Sequence, residues 1–125
     1  MASDGYRGLL VWQKAMDLVE SSYRMTHSFP ECERFGLSSQ IQRAAVSIPA
    51  NLAEGHSRGG TREFLYFVRI ACGSIAELET HIEVARRLNY LSAMRFAELN
   101  RQAEEVGRML SGLRASLQKK LSQKP

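Results

Sequence analysis

Proline is scarce in this chain, three among 125 residues, and only Pro49 falls inside a stretch of helical periodicity. Cysteine is scarcer still. Cys32 and Cys72 stand apart with no CxxC spacing, which excludes a disulfide framework and suits a reducing compartment. No run approaches the roughly 18 uninterrupted apolar residues of a membrane span, so no membrane partner is expected. The opening residues Met1 to Gly8 hold no hydrophobic region of signal-peptide type, and a cytoplasmic location is expected. Strand-like alternation, low-complexity tracts and internal repeats are also missing, which removes β and solenoid architectures.

What remains is ordinary for one folded domain: 44% apolar and 24% charged residues in a length able to close one core. The net charge of +4 is unevenly spread. Through Val106 twelve Lys and Arg stand against thirteen Asp and Glu, whereas Arg108, Arg114, Lys119, Lys120 and Lys124 follow with no acid. Such a basic end suits polyanions through counterion release, and equally complements the negative end of a helix dipole.

Four segments carry helical periodicity. The first, Leu9 to Ser28, puts Trp12, Met16 (with Ala15), Val19, Tyr23 and Thr26 on one face and is stopped by Phe29-Pro30. In the second, Leu37, Ile41, Ala44, Ala45, Ile48 and Leu52 form the stripe. Pro49 predicts a kink or break there, and Gly55 a left-handed C-cap. The third opens at Thr61, read as its cap, and ends near Leu88 with Asn89 as the stop. The fourth starts at the cap Ser92 and runs to Leu121, with Phe96, Leu99, Ala103, Val106, Leu110, Leu113 and Leu117 spaced by threes and fours. Short links favour antiparallel neighbours. The expected fold is an all-α, up-down-up-down four-helix bundle over residues 9–121, with a flexible tail at 1–8 and a basic tail at 122–125.

The third segment differs from the fourth. Phe64, Leu65, Tyr66, Phe67 and Val68 are consecutive and point all round the axis. A helix apolar over most of its circumference needs a second burying surface, which makes these five the expected contacts between copies in a homo-oligomer. A central helix covered by its neighbours within one monomer is the alternative.

Chemistry-bearing patterns are weak. A di-iron bundle needs Glu-x-x-His on two helices, yet Leu78 stands three residues before His81, so neither metal nor cofactor is expected. No nucleophile elbow is present and neither cysteine has a histidine nearby in sequence, so no catalytic residue is assigned and the chain reads as a non-enzyme. The segment Gly55 to Arg62 precedes a helix N-terminus, where free amides favour an anion and Arg58 and Arg62 add charge; a plain inter-helix turn is the alternative. Ser47, Asn51 and Glu54 share one face beside Pro49 and read as structural.

The run from Gln42 to Gly55, QRAAVSIPANLAEG, resembles the hallmark of four-helix-bundle proteins encoded by 23S rRNA intervening sequences. Phe67 to Thr80 is similar to that family's helix-three signature, and Leu10 to Ala15 fits its start. The resemblance implies an antiparallel bundle assembling into a ring-like homopentamer. It also implies kinship with accessory proteins of diversity-generating retroelements, which bind a reverse transcriptase and its RNA. At matching positions Arg43, Arg58 and Arg69 become candidate nucleic-acid contacts. Ser47, Pro49, Asn51, Glu54, Gly55 and Glu77 become structural motif residues.

Together these readings give a candidate nucleic-acid or anion set of Arg43, Arg58, Arg62, Arg69, Arg114, Lys119, Lys120 and Lys124. The function they suggest is an oligomeric adaptor for RNA or a nucleic-acid-binding protein. The competing reading is a structural homo-oligomeric scaffold that ignores nucleic acid.

Overall fold

The computed structural model describes residues 5–123. Among them are four α-helices, α1 (Leu10–Thr26), α2 (Leu37–Ser57), α3 (Thr61–Arg87) and α4 (Ala93–Ser122), and two short 3-10 turns at Gly5–Gly8 and Glu31–Glu33. Each helix packs on the helix before and after it, and α1 closes against α4, while the backbones of diagonal pairs stay more than 8 Å apart between Cα atoms. The helices run antiparallel. Along the α2–α3 seam, Ser47 meets Ser74 while Gly55 meets Phe67, so rising numbers on one helix face falling numbers on the other. The structure is therefore an all-α four-helix bundle.

The core forms where apolar residues recur every three or four positions. On α4 the fully buried row is Leu99, Ala103, Val106, Leu110 and Leu117, with Phe96 and Leu113 half-buried beside it. α2 contributes Leu37, Ile41, Ala44, Ala45, Ile48 and Leu52 as expected. On α1 Ala15 and Thr26 are buried as read, but the rest of the face is corrected. Its buried row is Val11, Ala15, Leu18, Ser22 and Met25, while Tyr23 stays 47% exposed and Trp12 half-buried. The reason is polar content: Ser21 and Ser22 occupy buried positions, so the true row looks less apolar than its neighbour.

α2 continues through Pro49 from Leu37 to Ser57, so the expected break does not occur. Proline forfeits one bond, to the Ala45 carbonyl, but the buried face on both sides of it holds the helix together. Gly55 is not a C-cap. It lies within the helix and is buried, and the left-handed glycine is Gly59, at φ 85°. Thr61 is the first residue of α3 rather than its cap, which is Gly60. One stop and one start behave as read: Asn89 adopts φ 62°, and the Ser92 hydroxyl accepts the Arg95 amide at 3.1 Å, capping α4. Gly5–Gly8, read from sequence as part of a tail, make a 3-10 turn in which Tyr6 meets Trp12 edge-on and the Arg7 carbonyl accepts from Gln13.

The link from α1 to α2 is built around Glu33. Its carboxylate accepts the Leu37 amide at 3.0 Å, capping α2, and the Tyr90 hydroxyl at 2.9 Å. Those two bonds, the amide first, hold its pKa below the ordinary 4.5. A carboxyl depressed in the folded state contributes stability above the unfolded pKa and loses it as the pH falls through the folded one. Glu83 acts in the same direction, drawn down to about 2 by hydrogen bonds from Arg86 and then Arg87. Melting temperature is therefore expected to fall as acid is added below about pH 4.5, and Glu33→Gln to flatten that limb without abolishing it. A pH series of thermal melts checks this; equal slopes in both proteins would contradict the cap.

Candidate functional site

The motif residues of α2 converge on its seam with α3. Ser47 Oγ lies 2.8 Å from Ser74 Oγ, and the Asn51 side-chain amide donates to the Ser47 carbonyl at 2.7 Å and to Ser47 Oγ at 3.0 Å. Ser74 Oγ also donates to the Ile70 carbonyl at 3.2 Å. This junction joins two helices through satisfied polar groups just beside Pro49. One turn on, Gly55 lets α3 approach so closely that an added Cβ would stand 2.6 Å from Phe67 Cβ and 3.2 Å from Phe64 Cδ1.

The remaining motif acids are held locally. Glu54 binds Arg58 at 2.7 Å, and the Arg58 guanidinium sits 5.1 Å from the centre of the Phe67 ring. Arg58 is thus doubly engaged, although both partners of the ion pair are about half exposed and the pair is worth little in stability. Glu77 stands 3.6 Å from His81 Nε2, beyond hydrogen-bond reach, and that buried nitrogen has no hydrogen-bond partner. The segment expected to be a loop from Gly55 to Arg62 shrinks to Arg58–Gly60, because helix runs to Ser57 and resumes at Thr61. The Glu63 carboxyl folds back against Gly60, so the chain's own anion already sits at the first turn of α3.

The five consecutive residues of the third segment divide between inside and outside. Leu65 and Val68 belong to the bundle core, which corrects their assignment to an intermolecular surface; burial against α2 and α4 satisfies them within one chain. Phe64 and Phe67 are half-buried, and Tyr66 is 61% exposed with its ring edge-on to Phe67. Ile70 on the same helix and Val46 on α2 are 38% and 41% exposed.

The candidate cations also separate. Arg43, Arg62, Arg69, Arg114, Lys119 and Lys120 are all exposed, and none has a carboxylate partner among the described residues. Lys124 lies outside the described residues. Antiparallel packing places Arg62 and the Lys119–Lys120 pair at one end of the bundle, where α2 passes into α3 and α4 finishes. Arg114 lies on α4 nearer the middle, beside a shallow cleft shared with Cys72 and Glu79. There burial pushes the Cys72 thiol up, partly offset by Arg114, and burial followed by the nearby Glu104 raises Glu79. Arg43 sits toward the opposite end, against the α1–α2 link. Sequence reasoning passed over Glu33 and Tyr90, which are 57 residues apart and meet only in the fold.

Among the described residues no group of three or more His, Cys, Asp or Glu side chains is arranged to hold a metal ion, and no helix is long and apolar enough to cross a membrane. The class is that of closed antiparallel four-helix bundles, here with a close approach of α3 at Gly55 and exposed cations at both ends. Residues 7–112 match the family model described as 23S rRNA-intervening sequence protein, and the chain belongs to that family. A crystal structure of a protein of unknown function from the S23 ribosomal protein family of Bacteroides thetaiotaomicron shares the fold. It superposes with a TM-score of 0.75 at 23% identity, over 84% of this chain and 98% of the other. No curated protein matches the chain in sequence.

Proposed function

We propose that this protein is a non-catalytic, self-associating adaptor of the cytoplasm that presents exposed cations to RNA or to a nucleic-acid-binding partner. The observation that carries the reading is the contrast among its basic residues. Arg24, Arg58, Arg86 and Arg87 are occupied by glutamates of their own helices, whereas Arg62, Lys119 and Lys120 share one end of the bundle with no acid engaged. Unpaired surface cations are what phosphates recruit, with release of condensed counterions. Self-association is supported by Tyr66, Ile70 and Val46, which expose apolar surface on the α2–α3 pair, and the family resemblance implies a ring of five.

Filter binding to a structured RNA across a salt series tests the adaptor. Retention is expected to fall steeply between about 50 and 200 mM salt, and Lys119→Gln with Lys120→Gln to reduce the slope by about 1.5. Absence of retention at low salt removes the nucleic-acid role and leaves the competing reading, a scaffold held together by apolar contacts alone. Light scattering is expected to report five times the 14.1 kDa chain mass. A stable single-chain particle overturns the self-association.

A further inference from the structure

At the end of the bundle opposite Lys119 and Lys120, the α1–α2 link walls an open groove of about 1190 Å³ that the adaptor reading leaves unused. Its charge is lopsided: Arg24, Arg34 and Arg43 line it together with one carboxylate, Glu31. Arg24 is held by Glu20 at 3.1 Å, which leaves Arg34 and Arg43 without acid partners. The floor is tied by Gln42, whose amide donates to Thr26 Oγ1 at 3.0 Å.

The first turn of α2 opens on this groove. Glu33 takes the Leu37 amide, but the amides of Ser38 and Ser39 have no acceptor. The Ser38 side chain also lacks a partner although the residue is only 7% exposed and lines the groove. Its oxygen is not sealed from solvent, so the hydroxyl is free to donate to a ligand in the groove. An anion with several acceptor oxygens would satisfy it together with the two amides, with Arg34 and Arg43 supplying charge.

The groove also carries aromatic surface with no structural use. Phe35 is 88% exposed, more than any other large hydrophobic residue described, and the Arg34 guanidinium lies 5.3 Å from its ring centre. Tyr23 is 47% exposed on the α1 side. Flat exposed rings beside arginines are the platform on which nucleobases stack.

We propose that this groove binds a nucleotide, its phosphate at Ser38 and Ser39 between Arg34 and Arg43 and its base against Phe35. The nucleotide is either free or one unit of a single RNA strand; the strand form rests on the adaptor reading, the free form does not. Isothermal titration of the full-length protein with adenosine monophosphate, inorganic phosphate and a short oligoadenylate tests it. Phe35→Ala is expected to weaken adenosine monophosphate about tenfold, the usual loss on removing a stacking ring, and to leave inorganic phosphate unchanged. Arg43→Gln is expected to weaken all three ligands. Both side chains are exposed, so the melting temperature should hold. Tighter oligoadenylate binding with the same sensitivities identifies the strand as ligand, and equal affinities identify the free nucleotide.

Binding of neither nucleotide ligand overturns the proposal, as does binding indifferent to both substitutions. So does a changed particle mass in Phe35→Ala with nucleotide affinity intact, since Phe35 would then be covered by another copy. Loss of RNA retention only on changing Lys119 and Lys120 would remove the groove as an RNA contact while sparing the adaptor. Nucleotide binding without RNA retention would do the reverse.

Discussion

Replacing Gly55 by alanine is expected to destabilise the bundle by about 1–3 kcal/mol, the usual cost of forcing atoms into a filled interior. The sign runs against helix propensity. Alanine is favoured over glycine inside a helix by about 1 kcal/mol, and at an open position the change would stabilise. Gly55, however, is buried on α2, and a methyl there would lie 2.6 Å from Phe67 Cβ. A Cβ cannot rotate away, so α3 itself must retreat, loosening the contacts around Ser47 and Ser74 as well. Gly73 and Gly112 provide the internal control. Both are helical and exposed, nothing lies within 4 Å of a methyl built on either, and alanine at each should stabilise by up to about 1 kcal/mol. Urea denaturation of the three variants decides the matter. If Gly55→Ala gains stability as its controls do, the seam is not tight.

The second large effect contrasts two residues of α3. Leu78 is fully buried in the core, and truncation to alanine is expected to cost about 2–5 kcal/mol, from lost burial plus the cavity left behind. Tyr66, 61% exposed, should tolerate alanine within about 0.5 kcal/mol when stability is measured on the dissociated chain. Its expected effect is on assembly, seen as a shift toward the single-chain mass at a given concentration in light scattering. An unchanged mass for Tyr66→Ala would separate that ring from the contact between copies.

How much of this was legible beforehand depended on what kind of signal each element carries. α4 was legible because its buried row consists of large aliphatic residues with charged residues between them, so periodicity alone identifies it. α1 was legible only in part: Ala15 and Thr26 are buried as read, but Ser22 is fully buried although polar, whereas Trp12 and Tyr23 remain partly outside. Propensity could not distinguish a glycine that ends a helix from one that admits another helix, and Gly55 is the second kind. The apolar run Phe64 to Val68 was correctly seen as pointing all round α3, but one helix has two neighbours, and they absorb Leu65 and Val68. The groove was not legible at all. It arises from Tyr23, Arg34 and Arg43 meeting across a turn, and its only trace in the sequence was an unusually long link between the first two helices.

The bond between Glu33 and Tyr90 has a mechanical consequence. At that end the backbone joins α1 to α2 and α3 to α4, while nothing covalent connects the two hairpins. Tyr90 stitches them, its hydroxyl on Glu33 and its ring 5.3 Å from that of Phe29. Phe29 also forms part of the groove wall, so any scissoring of one hairpin against the other pulls directly on the pocket beside it.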